Sequence, residues 1–78
     1  MIVRRCATKG AFEVIPDHVF SFDLSKLKSN FRITFEVPML VMLEYGEYVV
    51  TCYKNGKLLI KNCDSEEEAE DIAKLIYK

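Results

Sequence analysis

Cys6, His18, Cys52 and Cys63 are the thiol and imidazole side chains of this 78-residue sequence. A cysteine nucleophile needs a base within hydrogen-bond reach, and His18 is the single imidazole that could serve Cys6. His18 follows Pro16-Asp17 in a loop, where a histidine is more often an ordinary surface residue, and an isolated cysteine is more often a core packer. The three cysteines are odd in number, widely spaced and without a CxxC pair, which signals neither a disulfide framework nor a zinc site. Reduced, partly buried thiols are the expectation. Between Asp64 and Asp71 stand six carboxylates, but nothing brings a second cluster of ligands to them. The three glycines are scattered and build no phosphate loop. The residues therefore point to a protein that is not an enzyme and needs no cofactor or metal.

Seventy-eight residues make one domain, residues 1–78, with a single modest core and too little chain to cover both faces of a sheet. Half of the residues are apolar and 29% are charged, which fits a folded soluble chain and excludes a disordered one. No apolar run approaches the roughly 20 residues that span a bilayer, and Met1 to Arg5 lacks the apolar core of a signal peptide. A cytoplasmic location without membrane partners is expected. The formal net charge of −1 removes the strongly basic signature of a generic DNA binder. Its distribution is uneven, with Arg4, Arg5 and Lys9 near the start and Lys54, Lys57 and Lys61 around Asn55-Gly56.

The elements that must position these groups are clearest at the C-terminus. Ser65 can cap a helix while Glu68, three residues on, reaches back in a capping box. Ala69, Ile72, Ala73 and Ile76 then fall at i, i+3, i+4 and i+7, one apolar stripe, leaving Glu66, Glu67, Glu70, Asp71 and Lys74 to water. Carboxylates in the first turn with Lys74 and Lys78 in the last match the helix dipole, and Glu70 to Lys74 is an i, i+4 pair. The carboxylate run thus has a structural explanation.

Upstream, Glu47 to Lys54 and Lys57 to Asn62 are β-rich runs joined by Asn55-Gly56, the pattern of a type I′ hairpin turn with positive φ at both positions. Period two assigns Val50, Cys52, Leu58 and Ile60 to the helix side and Val49, Thr51, Tyr53, Leu59 and Lys61 to the other. Phe31 to Val37 alternates as a strand with Phe31, Ile33, Phe35 and Val37 on one side, and Pro38 puts a bulge or bend before the run Met39 to Leu43. Glu44-Tyr45-Gly46 turns that strand into the next, giving at least a three-stranded meander. Nearer the start, Asp23 to Ser29 reads as a short helix with Leu24 and Leu27 inward and Ser21 or Asp23 as its cap. Ile2 to Ala7 and Ala11 to Ile15 read as strands flanking Lys9-Gly10.

The surface with the best claim to function is the sheet face away from the helices, where Thr51, Tyr53, Leu59 and Lys61 are expected beside Val37, with Lys57 at the hairpin end. Aromatic and basic groups there could stack on bases and pair with phosphates. An apolar face with a few lysines is equally what a second copy or another protein would cover.

The segment from Gly56 through Ala69, GKLLIKNCDSEEEA, resembles in length and character the GKMVCTGAKSEEEA-like segment of the repeats of TATA-box-binding proteins. Pro38-Met39-Leu40-Val41 is similar to the Phe-Pro-Gly-Leu or Phe-Ala-Ala-Val region of that repeat, with a one-residue deletion before the hairpin, and Phe22-Asp23-Leu24 resembles the Leu-Asp-Leu opening its first helix. The likeness covers about two thirds of the chain, from Phe22 onward; Met1 to Phe20 aligns only with an insertion. It implies an α+β fold: a curved antiparallel sheet with two helices on its convex side, one half of a saddle that two repeats complete edge to edge. A single repeat would rebuild the saddle as a homodimer, covering a strand edge otherwise left open.

The family's concave face enters the DNA minor groove and inserts paired phenylalanines into base steps. By resemblance, that pair falls on Val37 and Tyr53, an apolar groove contact on Leu59, a basic phosphate contact on Lys57, and a groove threonine on Lys61. A phosphate-binding arginine corresponds to Leu43, and the lysine before the helix to Asp64. These last two exchanges remove phosphate contacts, and Asp64 adds repulsion, which argues against TATA-element recognition. Similar domains also occur as appendages of a type of ribonuclease H and of some DNA glycosylases, so the fold alone assigns no function. Taken together, the residues point to a non-catalytic protein-interaction or self-association module acting as a homodimer. The alternative is a nucleic-acid-binding module that uses Tyr53, Lys57 and Lys61.

Overall fold

Residues 1–5, 10–17 and 24–77 are described in a computed structural model, without the side chains of residues 24–26. They form six strands and two helices: β1 (Ile2–Arg5), β2 (Ala11–Ile15), α1 (Leu24–Asn30), β3 (Arg32–Val37), β4 (Leu40–Tyr45), β5 (Tyr48–Tyr53), β6 (Leu58–Lys61) and α2 (Glu66–Tyr77). The strands make one antiparallel sheet in the order β1-β2-β6-β5-β4-β3, an α+β architecture. Cys6 and Ala7, where the first strand was expected to continue, and Ser21 and Asp23, the expected caps of α1, lie outside the described residues. So does His18.

Helix α2 forms where the capping signal stands. Ser65 Oγ accepts a hydrogen bond from Glu68 N at 3.1 Å. The reciprocal half of the capping box is replaced: the Glu68 carboxylate accepts instead from Tyr48 Oη on β5 at 2.7 Å, tying the helix start to the sheet. Lys74 reaches Glu70 at 3.3 Å, one turn back. Ala69, Ile72, Ala73 and Ile76 are buried, and the charged residues of the helix stay exposed apart from the half-buried Glu68.

The stripe of α2 meets Phe12, Val14, Leu43, Val50, Cys52, Leu58 and Ile60, all buried on one face of the sheet, and Leu27 of α1 joins the same cluster. Both helices therefore cover one face. Side chains such as Ile72, Ile76 and Leu27 each gain roughly 1.5–3 kcal/mol from leaving water, which outweighs the weak intrinsic preference of a seven-residue helix like α1. Phe31 N donates to Leu27 O to close α1, and Lys28 pairs with Glu36, fastening that helix to β3.

Three local expectations fail, each for a backbone reason. Asn55-Gly56 does sit in a hairpin, but Gly56 alone of the two has positive φ, at 98°. Gly56 N donates to Tyr53 O, and Tyr53 N to Lys57 O, so Lys54-Asn55-Gly56 is a three-residue loop: a type I turn closed by a left-handed glycine. Asn55 Oδ1 accepts from Lys57 N at 3.1 Å, a local bond that steadies this turn rather than a type I′ one.

Pro38-Met39 does not bend one strand. It reverses the chain completely, with Val37 opposite Leu40 across a two-residue turn, because the fixed φ of proline suits the first corner of a turn. Finally, β3 carries a register break between Ile33 and Phe35. Ile33 lies opposite the buried Leu43, and Phe31 and Ile33 pack on the core, whereas Phe35 lies opposite Met42 on the other face. The extra residue, Thr34, shifts the alternation by one, so the expected single stripe is split between the two faces.

Candidate interaction face

The sheet side away from both helices is built in rows by the strand registers. One row runs Val37, Leu40, Tyr53 across β3, β4 and β5. The next runs Phe35, Met42, Thr51, Leu59, Glu13 and Arg4 across all six strands. A third runs Arg32, Glu44, Val49 and Lys61. No residue of this face belongs to the core cluster that the helices seal.

Of the residues expected here, Val37, Tyr53, Leu59 and Lys61 all lie on this face, and Lys57 lies at its hairpin end. Val37 is not beside Tyr53, however, since Leu40 of β4 stands between them. Thr51 is on the face but only 6% exposed, flanked in its row by Met42 and Leu59, so it offers little surface to a partner. Leu43, which the family likeness equates with a phosphate-binding arginine, faces the helices and is fully buried. A side chain there cannot reach a phosphate on the open side. Asp64 is exposed just ahead of α2.

Electrostatics divide the face into two halves. On the β1–β2–β6 half, the Glu13 carboxylate accepts from Arg4 at 2.6 Å and pairs with Lys57 Nζ at 3.2 Å. The hydrogen bonds from Arg4 and then Lys57 hold its pKa below the usual carboxylate value, outweighing desolvation. Lys57 Nζ also lies 5.9 Å from the centre of the Tyr53 ring. The most useful cation for a phosphate is thus already paired inside the chain.

The β3–β4 half is apolar. Phe35 is 52% exposed and Met39, in the adjoining turn, 74%. Lys54 N donates to Met39 O, bringing the two hairpin ends together, and Met39, Tyr53, Lys54 and Asn55 line a shallow hollow of about 200 Å³. That is below the roughly 300 Å³ at which cofactor sites begin, and fits a side chain rather than a cofactor.

Sequence reasoning missed Phe35, Leu40, Met42, Arg32, Glu44, Arg4 and Glu13 as members of this face. The signal available was Pro38 itself: read as a turn, it makes Leu40, Met42 and Glu44 an alternating strand of their own. The Thr34 break leaves no comparable mark.

Neither cysteine among the described residues is poised for chemistry. Cys52 and Cys63 are unpaired and fully buried. Burial pushes the Cys52 thiol up to about 12, and burial raises Cys63 as well, whose Sγ donates to Ser65 O at 3.2 Å. Both stay protonated at neutral pH, which deprives them of nucleophilic character. They are fully buried rather than the partly buried thiols expected. Among the described residues no three His, Cys, Asp or Glu side chains converge as a metal site would need, and no helix is long and apolar enough to cross a membrane. No family model, curated protein or solved structure matches the chain.

Proposed function

We propose that the chain is a non-catalytic protein-interaction module that self-associates as a homodimer through the sheet face opposite its helices. The observation that carries this reading is the apolar half of that face, where Phe35, Val37, Leu40, Met42 and Met39 stand together with no described element of the fold packed over them. Exposed apolar patches of this kind on a small domain mark surfaces that associate. Self-association through the face, rather than the edge-to-edge pairing that completes a saddle, is favoured by the edges. β3 is broken by its register shift, and the described part of β1 carries Arg4-Arg5; both are ways in which edges discourage pairing.

The half-saddle fold implied by the likeness to TATA-box-binding proteins is part of the proposal. Its support is the order of elements from Leu24 onward, a helix, four antiparallel strands and a second helix, with both helices on one side. Nucleic-acid binding through Tyr53, Lys57 and Lys61 is the second reading, favoured by Tyr53 and Lys57 side by side at the hairpin end of the face, with Lys61 on the same face two rows away. It ranks lower because Lys57 would have to leave Glu13 to meet a phosphate, and because Leu43 and Asp64 supply no phosphate contact.

Sedimentation equilibrium tests the first reading. A dimer at micromolar concentration is expected, and a stable monomer over that range would sink it. Titration with duplex and single-stranded DNA and RNA tests the second: it requires binding that weakens steeply with salt and on Lys57→Ala or Lys61→Ala.

A further inference from the structure

The register of the β3–β4 hairpin sets three residue pairs side by side on the open face: Arg32 with Glu44, Phe35 with Met42, and Val37 with Leu40. Each row joins two chemically complementary members, a cation with an anion, an aromatic ring with a thioether, and two aliphatic groups. Arg32 and Glu44 are both exposed, yet neither takes part in an ion pair, with each other or with any described residue. This contrasts with Glu13, Arg4, Lys57, Lys28 and Glu36, all of which are paired within the chain.

From this arrangement we infer that the partner on the β3–β4 half is a second copy of this chain, related by a two-fold axis that runs along the seam between β3 and β4. Such an axis exchanges the two members of every row. Arg32 meets the partner's Glu44 and Glu44 the partner's Arg32. Phe35 meets the partner's Met42, and Val37 the partner's Leu40. The contact is isologous and self-complementary throughout, and closes at two copies. An axis parallel to the strands also keeps the two sheets in the aligned mode of face-to-face packing. This ion pair forms twice per dimer at the rim of an apolar patch, where opposite charges fix register and like charges repel strongly.

This inference rests on the self-association reading and adds to it a register, so the test separates the two. Sedimentation equilibrium at micromolar concentration is run on the wild type, on R32E, on E44R, on the double variant R32E/E44R and on an equimolar mixture of the two single variants. All substitutions are at exposed positions, and recovery of assembly in the mixture itself shows that the single variants are folded.

Each single reversal sets two like-charged pairs against each other per dimer and is expected to weaken assembly by about tenfold or more. The double variant restores both pairs with their signs exchanged and is expected to dimerise like the wild type. The mixture is expected to form the heterodimer with an affinity like that of the wild type, although each component alone self-associates more weakly. A wild-type dimer that persists in both single variants, or a mixture that stays monomeric, would overturn the register while leaving self-association standing. A monomeric wild type would overturn the reading beneath it.

Discussion

Glu13 is the residue on which the charge pattern of the open face turns. It joins Arg4 and Lys57, and without it two cations would lie side by side. Because those partners depress its folded pKa, the stabilisation is present above the ordinary carboxylate value and is lost as pH falls through the folded one. Urea midpoints should therefore be lower for Glu13→Gln than for wild type at pH 7, and the two should converge as pH falls below the lowered folded value. Tyr48 has the opposite sign. Its hydrogen bond to Glu68 is the first cause of a pKa raised to about 12, so its contribution is complete below the unfolded tyrosine value near 10 and fades as pH rises towards 12. Tyr48→Phe should lower the midpoint at neutral pH, with the difference shrinking in alkaline urea titrations. Tyr77 Oη donates to Gly56 O at 2.5 Å, linking the last turn of α2 to the hairpin loop. Tyr77→Phe leaves that carbonyl without the bond and should cost about 1 kcal/mol.

Among the elements, the β5–β6 hairpin and α2 were fully placed by their side chains: alternation assigned Val50, Cys52, Leu58 and Ile60 to the core, and the i, i+3, i+4, i+7 stripe of α2 is buried as expected. Both signals arise from burial, which side-chain type reports directly. What escaped were features of the backbone. The three-residue geometry of the loop depends on φ at Asn55, which an Asn-Gly pair does not fix. The reversal at Pro38 and the shift at Thr34 depend on strand registers that only the whole sheet determines. Those two points decide which residues share the open face, and so the candidate site was legible on β5 and β6 and obscure on β3 and β4. Gly56 is the element-scale test. Its φ of 98° is costly for any side chain, and Gly56→Ala should lower stability by about 1 kcal/mol or more in urea unfolding, whereas Asn55→Ala should cost less. On α2, Ile72→Ala removes a 4%-exposed side chain from the seam between helix and sheet and should cost about 2–5 kcal/mol.

At the scale of the whole molecule, the fold spends its two helices on one face of a six-stranded sheet, and no described element covers the other. On that free face Glu13 of β2 is paired with Arg4 and Lys57, while Arg32 and Glu44 stand without ion pairs among the described residues, at the rim of the apolar β3–β4 half. The proposed self-association through the free face rests on that asymmetry. The most direct test is the solvent exposure of its methyl groups as a function of protein concentration, read by NMR with a soluble paramagnetic probe. The methyls of Leu40 and Met42 should be broadened by the probe in dilute protein and protected at high concentration, while the exposed Leu75 of α2 stays equally accessible throughout. Leu40 and Met42 methyls that remain as accessible in concentrated as in dilute protein would contradict it.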